Sequence, residues 1–310
     1  HEAVSVLAHQ GVDALLVGQE NAIAPLLPDG RVPGVDVEHA GDVVAMDEDP
    51  AAAARRKKDS SLVRSAQAVR EGRAQAMVGA GNTGATMAAA LLRMGRVRGI
   101  SRPAIAVPIP VPAGTRHQLL IDGGSTVDCT PEWLAQFARM GREYARTRLA
   151  VDEPTVGLLS NGEEPGKGDE LRKRTFSLLE KVPGFHGNVE GRDLMHGTVD
   201  VIVTDGFTGN VVLKTLEGAL RAAVELVFRV LDSTPEAKEA GKVVAPLLLD
   251  AAGAFDPDMT GGAVLLGVDG VCVISHGSSS ARAIVNAVRV AKECVETGVV
   301  GRLKEAIDAG

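Results

Sequence analysis

The chain has 310 residues, 45% of them apolar, enough to bury a core as one large domain or two moderate ones. A net charge of −7 and an aromatic content of 3%, with one Trp and one Tyr, exclude nucleic-acid binding by charge or by base stacking. Cys129, Cys272 and Cys294 form no CxxC pair and no metal-finger spacing, so the expectation is a reduced, cytoplasmic protein without a metal site or cofactor.

In chain order, short apolar runs alternate with helical patterns. DALLVGQ (13–19) reads as a strand, followed by a helix near 60–72. AQAMVGAG (74–81) reads as the next strand, followed by a helix near 82–94. RPAIAVPI (102–109) and HQLLIDGG (117–124) read as a hairpin, then a helix at 131–147. PTVGLLSNG (154–162) leads to a helix at 168–181, and VDVIVTDG (199–206) to a long one at 207–231. GAVLLGVDG (262–270) and VCVISHG (271–277) complete the strands before a helix at 279–294. The alternation predicts a single α/β domain over 1–310, a largely parallel sheet flanked by helices with a small antiparallel patch at the hairpin. Residues 232–260 are expected to protrude as an apolar helical segment, in which Pro246 interrupts AGKVVAPLLLDAAGAFDPD (240–258). The 207–231 helix carries Lys214, Glu217, Arg221, Glu225 and Arg229, so nothing here spans a bilayer.

Strand after strand ends in glycine and a small polar residue: GAGNTGA (79–85), IDGGSTVD (121–128), LLSNGEEPGKG (158–168), TDGFTGN (204–210) and SHGSSS (275–280). In open α/β sheets ligands lie beyond the carboxyl ends of the strands, so these five are expected to converge on one anion-binding crevice. Two glycines at the start of the 207–231 helix let its backbone approach something closely, and the helix N-terminus offers unpaired N–H groups to a phosphate. GxxxxGK[ST] is absent, which disfavours ATP hydrolysis. Gly79-x-Gly81-x-x-Gly84 has the spacing of a dinucleotide fingerprint, but no acidic residue ends a strand about 20 residues later. Asn82 reads either as a helix cap or, with Thr83 and the Gly84 backbone, as a phosphate ligand. Ser278 and Ser279 read as caps of the last helix, and His276 either satisfies a carbonyl or steadies an oxyanion. Glu163 and Glu164 are either a solvated charge run or the partners that hold Lys167. Lys167, on a glycine-flanked turn, is placed to neutralise a phosphate or a developing alkoxide, with Asn210 donating to the same centre and Lys214 one turn further along.

The stretches AGNTGA, VDCTPEWLAQFARMG, GLLSNGEEPGKGDEL, GNVEGRDLMHGTVDVIVTDGFTGNVVLKTLEG and HGSS resemble the bacterial phosphate acyltransferases of phospholipid synthesis, the PlsX family, from about residue 50 to 294. The resemblance implies conversion of acyl-acyl carrier protein and inorganic phosphate to acyl phosphate and free carrier protein. It also implies a homodimer of the phosphotransacetylase and isopropylmalate-dehydrogenase-like fold, attached peripherally to the membrane. Lys167 and Asn210 match the family's catalytic positions. Substrate is expected against Gly81, Asn82, Thr83, Gly84, Asp122, Gly124, Glu163, Gly206, Thr208, Gly209, His276, Gly277 and Ser278. Gly124-Ser125-Thr126-Val127-Asp128-Cys129 replaces an amide of the family pattern by a hydroxyl, and Ser160-Asn161 also departs from it. The family's usual opening strand, ending Ala-Met-Gly-Gly-Asp, has no counterpart after His1, so the chain reads as lacking its first strand.

Phosphate dianion is already a nucleophile and a thiolate leaves readily, so the chemistry calls for alignment and oxyanion stabilisation rather than a strong base. Cys129 is the rival nucleophile, disfavoured by the adjacent Asp128. The island Arg55, Arg56, Lys57 and Lys58 is expected to dock the acidic carrier protein. Val243, Val244, Leu247, Leu248 and Leu249 are expected to contact either the membrane or a dimer partner. An acyl-coenzyme A phosphotransacetylase and a non-catalytic membrane scaffold are the alternative functions.

Overall fold

The computed structural model describes residues 2–27, 32–112, 117–253, 255 and 257–308. After helix α1 (Glu2–His9), strands β1 (Ala14–Gly18) and β2 (Val35–His39) form a separate parallel pair. The main sheet holds β3 (Ala76–Ala80), β4 (Ala104–Pro110), β5 (His117–Ile121), β6 (Val156–Leu159), β7 (Phe185–Val189), β8 (Val201–Val203), β9 (Ala263–Leu266) and β10 (Val271–Ser275) in the order β3-β10-β9-β4-β5-β8-β6-β7.

Four of its pairings are parallel: β3–β10, β5–β8, β8–β6 and β6–β7. The expected β4–β5 hairpin is present, and β9 extends the antiparallel patch by pairing oppositely with both β4 and β10. Alternate residues of each strand serve opposite faces. Leu119 and Ile121 of β5 join one core cluster, which includes Phe137 and Tyr144 of α6 (Pro131–Arg148) and Val290 of α11 (Ala281–Glu296). Leu120 joins a cluster on the other face, against Leu213 and Leu216 of α8 (Gly206–Leu231). Helices α4 (Ser61–Arg70) and α5 (Thr83–Arg93) cover the remainder of that second face.

Strand direction decides where a site can form. Since β10, β9, β4 and β5 are successively antiparallel, β5 runs opposite to β10. The carboxyl ends of β5, β8 and β6 therefore lie side by side at one edge of the sheet, and those of β3 and β10 at the opposite edge. The expected single crevice is corrected here to two groups of loops. The intervening antiparallel strands, which connect the halves without a crossover, reverse the direction.

Pro246 does not end a helix, as expected, but lies within α9 (Pro235–Gly253). Its cost is one missing N–H donor, borne by the turns on either side and by packing against α8. Of α8 and α9 together, only Gly206, Gly209 and Gly241 are buried. Among the described residues no helix is long and apolar enough to cross a membrane.

Candidate active site

The three adjoining loops are built on one another. The loop after β5 is organised by Asp122, whose fully buried carboxylate accepts from the backbone N–H of Ile105, Gly124, Ser125 and Thr126 and from the Ser125 hydroxyl at 2.7–3.1 Å. Burial pushes this carboxyl upward, against the pull of those donors. Asp122 is thus spent on shaping its own loop and has no face left for substrate, contrary to expectation.

Helix α8 then lies directly on that loop. A Cβ at Gly209 would sit 1.9 Å from the Asp122 carbonyl oxygen, and one at Gly206 2.8 Å from the Thr126 carbonyl oxygen. The glycines admit neighbouring backbone, not an anion. The first turn of α8 is equally occupied: Gly206 N–H donates to Thr126 O, Thr208 N–H to Asp205 Oδ1 and Gly209 N–H to Asp205 O. Thr208 is committed as well, its hydroxyl donating to Asp205 Oδ2 and accepting from Arg172.

Arg172, 9% exposed, is the residue that sequence reasoning missed. It stands on α7 (Glu170–Leu179), the helix entered from the Lys167 loop, and its guanidinium reaches Asp169, Thr204, Asp205 and Thr208. The loop after β6 is thereby fastened to the start of α8. In the sequence Arg172 reads as an i,i+3 surface partner of Asp169, and nothing local signals Asp205. For Asp205, burial raises the carboxyl, but the Thr208 N–H and hydroxyl and the Arg172 charge together outweigh it and hold it below the usual range.

The Lys167 loop is closed by Gly168 N–H donating to Asn161 Oδ1 (2.8 Å) and by Asn188 Nδ2 donating to Glu164 O (2.8 Å). Glu163 does not hold Lys167; it pairs with Arg192 at 2.8 Å. Asn188 and Arg192 both come from the GNVEGRD block, which explains why that block accompanies the loop. The Lys167 stem folds over Gly162, where a Cβ would lie 2.7 Å from its Cγ. Beneath the loop, the buried Ser160 hydroxyl has no hydrogen-bond partner among the described residues.

Among the described residues, the side-chain donors of Lys167 and Asn210 are left without a partner. Lys167 is exposed and its ammonium makes no ion pair among the described residues. Asn210 is exposed on the first turn of α8, its amide nitrogen against Gly124, where a Cβ would come within 3.0 Å. Lys214 is paired with Glu217 at 2.8 Å. Cys129 donates to Thr126 O at 3.3 Å, and burial, with the Asp122 charge, pushes its thiol up to about 12. That leaves almost no thiolate near neutral pH.

A family profile described as "Fatty acid synthesis protein" matches residues 3–302. The phosphate acyltransferase of Desulfitobacterium hafniense (strain DSM 10664 / DCB-2) is 48% identical over 299 residues, 96% of this chain and 89% of its own length. The phosphate acyltransferases of Elusimicrobium minutum and Myxococcus xanthus are 46% and 45% identical, over 95% and 97% of this chain and 87% and 86% of their own. The chain belongs to the fatty acid synthesis protein family. Among solved structures, a phosphotransacetylase from Streptococcus pyogenes shares the fold at a TM-score of 0.57 and 17% identity, covering 99% of this chain and 90% of that one.

In this family member the remaining predicted residues lie at the other edge. Gly81 and Gly277 adjoin there, a Cβ on Gly277 falling 3.9 Å from Gly81 Cα. Asn82 takes its bland role: its Oδ1 accepts from Ala85 N–H at 3.0 Å to cap α5, and its Nδ2 donates to the Ala45 and Met46 carbonyls. Gly84 packs on Pro50 and is followed by the rest of α5. Thr83 is exposed at the first position of α5. His276, Gly277 and Ser278 are exposed, so His276 is not satisfying a buried carbonyl. Ser280, rather than Ser278 or Ser279, caps α11 by accepting from Ala283 N–H. Arg55 and Arg56 end α3 (Pro50–Arg56) near this edge, and Lys57 is tied to Glu48 and to Val43 O.

Proposed function

We propose that the site is the Lys167–Asn210 edge and that it aligns phosphate with an acyl thioester. The chain is a phosphate acyltransferase of fatty-acid and phospholipid synthesis, and its substrates are acyl-acyl carrier protein and inorganic phosphate. A phosphate oxygen adds to the thioester carbonyl, the tetrahedral intermediate collapses with cleavage of the C–S bond, and the thiolate leaves and takes a proton from solvent. The products are acyl phosphate and free carrier protein.

The supporting observation is the contrast between spent and unspent groups. Asp122, Asp205, Thr208 and Arg172 are consumed in building the loops, while the Lys167 ammonium and Asn210 amide at adjacent strand ends are not. Lys167 supplies charge to phosphate or oxyanion, and Asn210 a preorganised donor. Such a donor is worth about 3–4 kcal/mol in the barrier. No acyl-enzyme is required, and the half-buried Cys129, its thiol pushed up to about 12, fits that. Of the other expected contacts, Gly124 lies against the Asn210 amide, and Gly206 and Gly209 seat the start of α8 on the 122–126 loop.

The exposed apolar side chains of α8 and α9, Val243 and Leu247 foremost, suit peripheral attachment to the cytoplasmic membrane surface or a homodimer contact. The direct test of function is release of free thiol from acyl-acyl carrier protein. Release is expected only when inorganic phosphate is present, with acyl phosphate as the second product. Phosphate-independent release, or none, would sink the reading.

A further inference from the structure

Between Glu71 and Asp122 the chain, acidic overall, contains no Asp or Glu, yet the short stretch 93–102 holds Arg93, Arg96, Arg98 and Arg102. Arg96, Arg98 and Arg102 are exposed and make no ion pair among the described residues. Asp269, whose N–H donates to Gly95 O, is neutralised by Lys304 at 2.6 Å. Arg96 and Arg102 line a cleft of about 370 Å³ together with Leu91, Gly95, Ser101 and Pro103. The rim is ordered: the Arg96 guanidinium donates to Ser101 O, and that of Arg102 lies 4.8 Å over the Trp133 ring.

Strand direction places this cleft beside the site. Arg96 bridges Val268, just beyond the carboxyl end of β9, and β9 runs in the same direction as β5 because both are antiparallel to β4. Pro103 O in the cleft wall accepts from the Ser125 hydroxyl at 2.9 Å, within the loop whose Gly124 faces Asn210. The Arg55–Lys58 island does not share this position. It adjoins the carboxyl end of β3, at the far edge, and Lys57 is already paired. Its neighbours Arg64 and Arg73 are likewise neutralised by Glu38, Asp59 and Glu71.

We propose that the Arg96–Arg102 cleft, together with the exposed Arg98 between them in the chain, is the docking surface for the acidic carrier protein, which delivers its thioester along the 103–125 contact to Lys167 and Asn210. This rests on the acyltransferase reading. An acidic partner is steered by unpaired, preordered positive charge next to the reacting centre, which raises encounter rate and fixes orientation. The test is titration of the full chain with holo-acyl carrier protein at low and moderate salt, together with turnover, for Arg96→Glu/Arg98→Glu/Arg102→Glu and for Arg55→Glu/Arg56→Glu/Lys58→Glu. The first variant is expected to weaken binding, and to raise KM for acyl carrier protein, by about tenfold or more, most strongly at low salt. Its kcat and its KM for phosphate should stay within about twofold of wild type. The second variant should bind as wild type. Carrier-protein affinity unchanged in the first variant, or lost only in the second, overturns the proposal. Should the first variant fail to fold, the single Arg98→Gln change, at an exposed side chain, is read in its place. A wild-type chain that binds carrier protein through these arginines but releases no thiol would refute the reaction and leave the docking surface standing.

Discussion

At residue scale, the pair Gly206 and Gly209 shows what a motif does and does not disclose. Glycines at a helix start announce a close approach, and the structure has one. The guest is the 122–126 backbone. Which partner fills the gap depends on the neighbouring strand, which lies more than 80 residues away in the chain. For Asp122, Asn82 and Thr208 the chemistry is readable and some partners are local, but Ile105, the Ala45 and Met46 carbonyls and Arg172, which complete their hydrogen bonding, arrive from elsewhere in the fold. Lys167 and Asn210 stand out only after the others are accounted for. Gly209→Ala places a methyl group 1.9 Å from a carbonyl oxygen, so it should cost about 3 kcal/mol or more or prevent folding. Gly218→Ala, on the exposed side of the same helix with nothing within 4 Å, should stabilise by about 0.5–1 kcal/mol. Urea unfolding of both variants distinguishes close approach from general intolerance of α8; equal effects would contradict the packing argument.

At the scale of elements, the apolar runs made the strands and most helices legible, since both faces of the sheet are covered and its strands are almost continuously apolar. Strand β2, VDVEH, and strand β7, FHGNV, escaped because charged or polar residues interrupt them at exposed or edge positions. The coupling of α7 to α8 through Arg172 and Asp205 was invisible for want of any local pattern. It carries a pH prediction. The folded Asp205 carboxyl is held below its ordinary value, so its contribution to stability is complete above the unfolded pKa of about 3.9 and is lost as pH falls through the folded value. Asp205→Asn should therefore lower Tm near pH 7, with the gap to wild type closing in acid. A gap independent of pH would contradict this. Arg172→Met, which leaves Asp205 buried without its cation, should cost about 3–5 kcal/mol.

For the whole molecule, the fold class followed from the alternation of elements, but the direction of the strands did not. Direction depends on sheet order, and β9 enters between β10 and β4 only in three dimensions. The three successive antiparallel pairings from β10 to β5 separate the 79–84 and 275–280 loops from the Lys167–Asn210 edge, and it is on this separation that the proposal of docking at Arg96–Arg102 rather than Arg55–Lys58 rests. At this scale also lies the apolar surface of α9, where Val243 and Leu247 are 71% and 68% exposed one turn apart. Flotation with anionic vesicles should lose the Val243→Glu/Leu247→Glu variant while sedimentation shows its oligomeric state unchanged. Dissociation of an oligomer with undiminished flotation would instead assign the surface to a partner subunit.

The central claim is that Lys167 and Asn210 act on one reacting centre. Its most direct measurement is kcat for phosphate-dependent thiol release by wild type, Lys167→Ala and Asn210→Ala, each verified as folded by its unfolding midpoint. Both variants should lose about 10²–10³-fold, and the double variant less than the product of the two. Wild-type turnover in either folded variant would contradict the account.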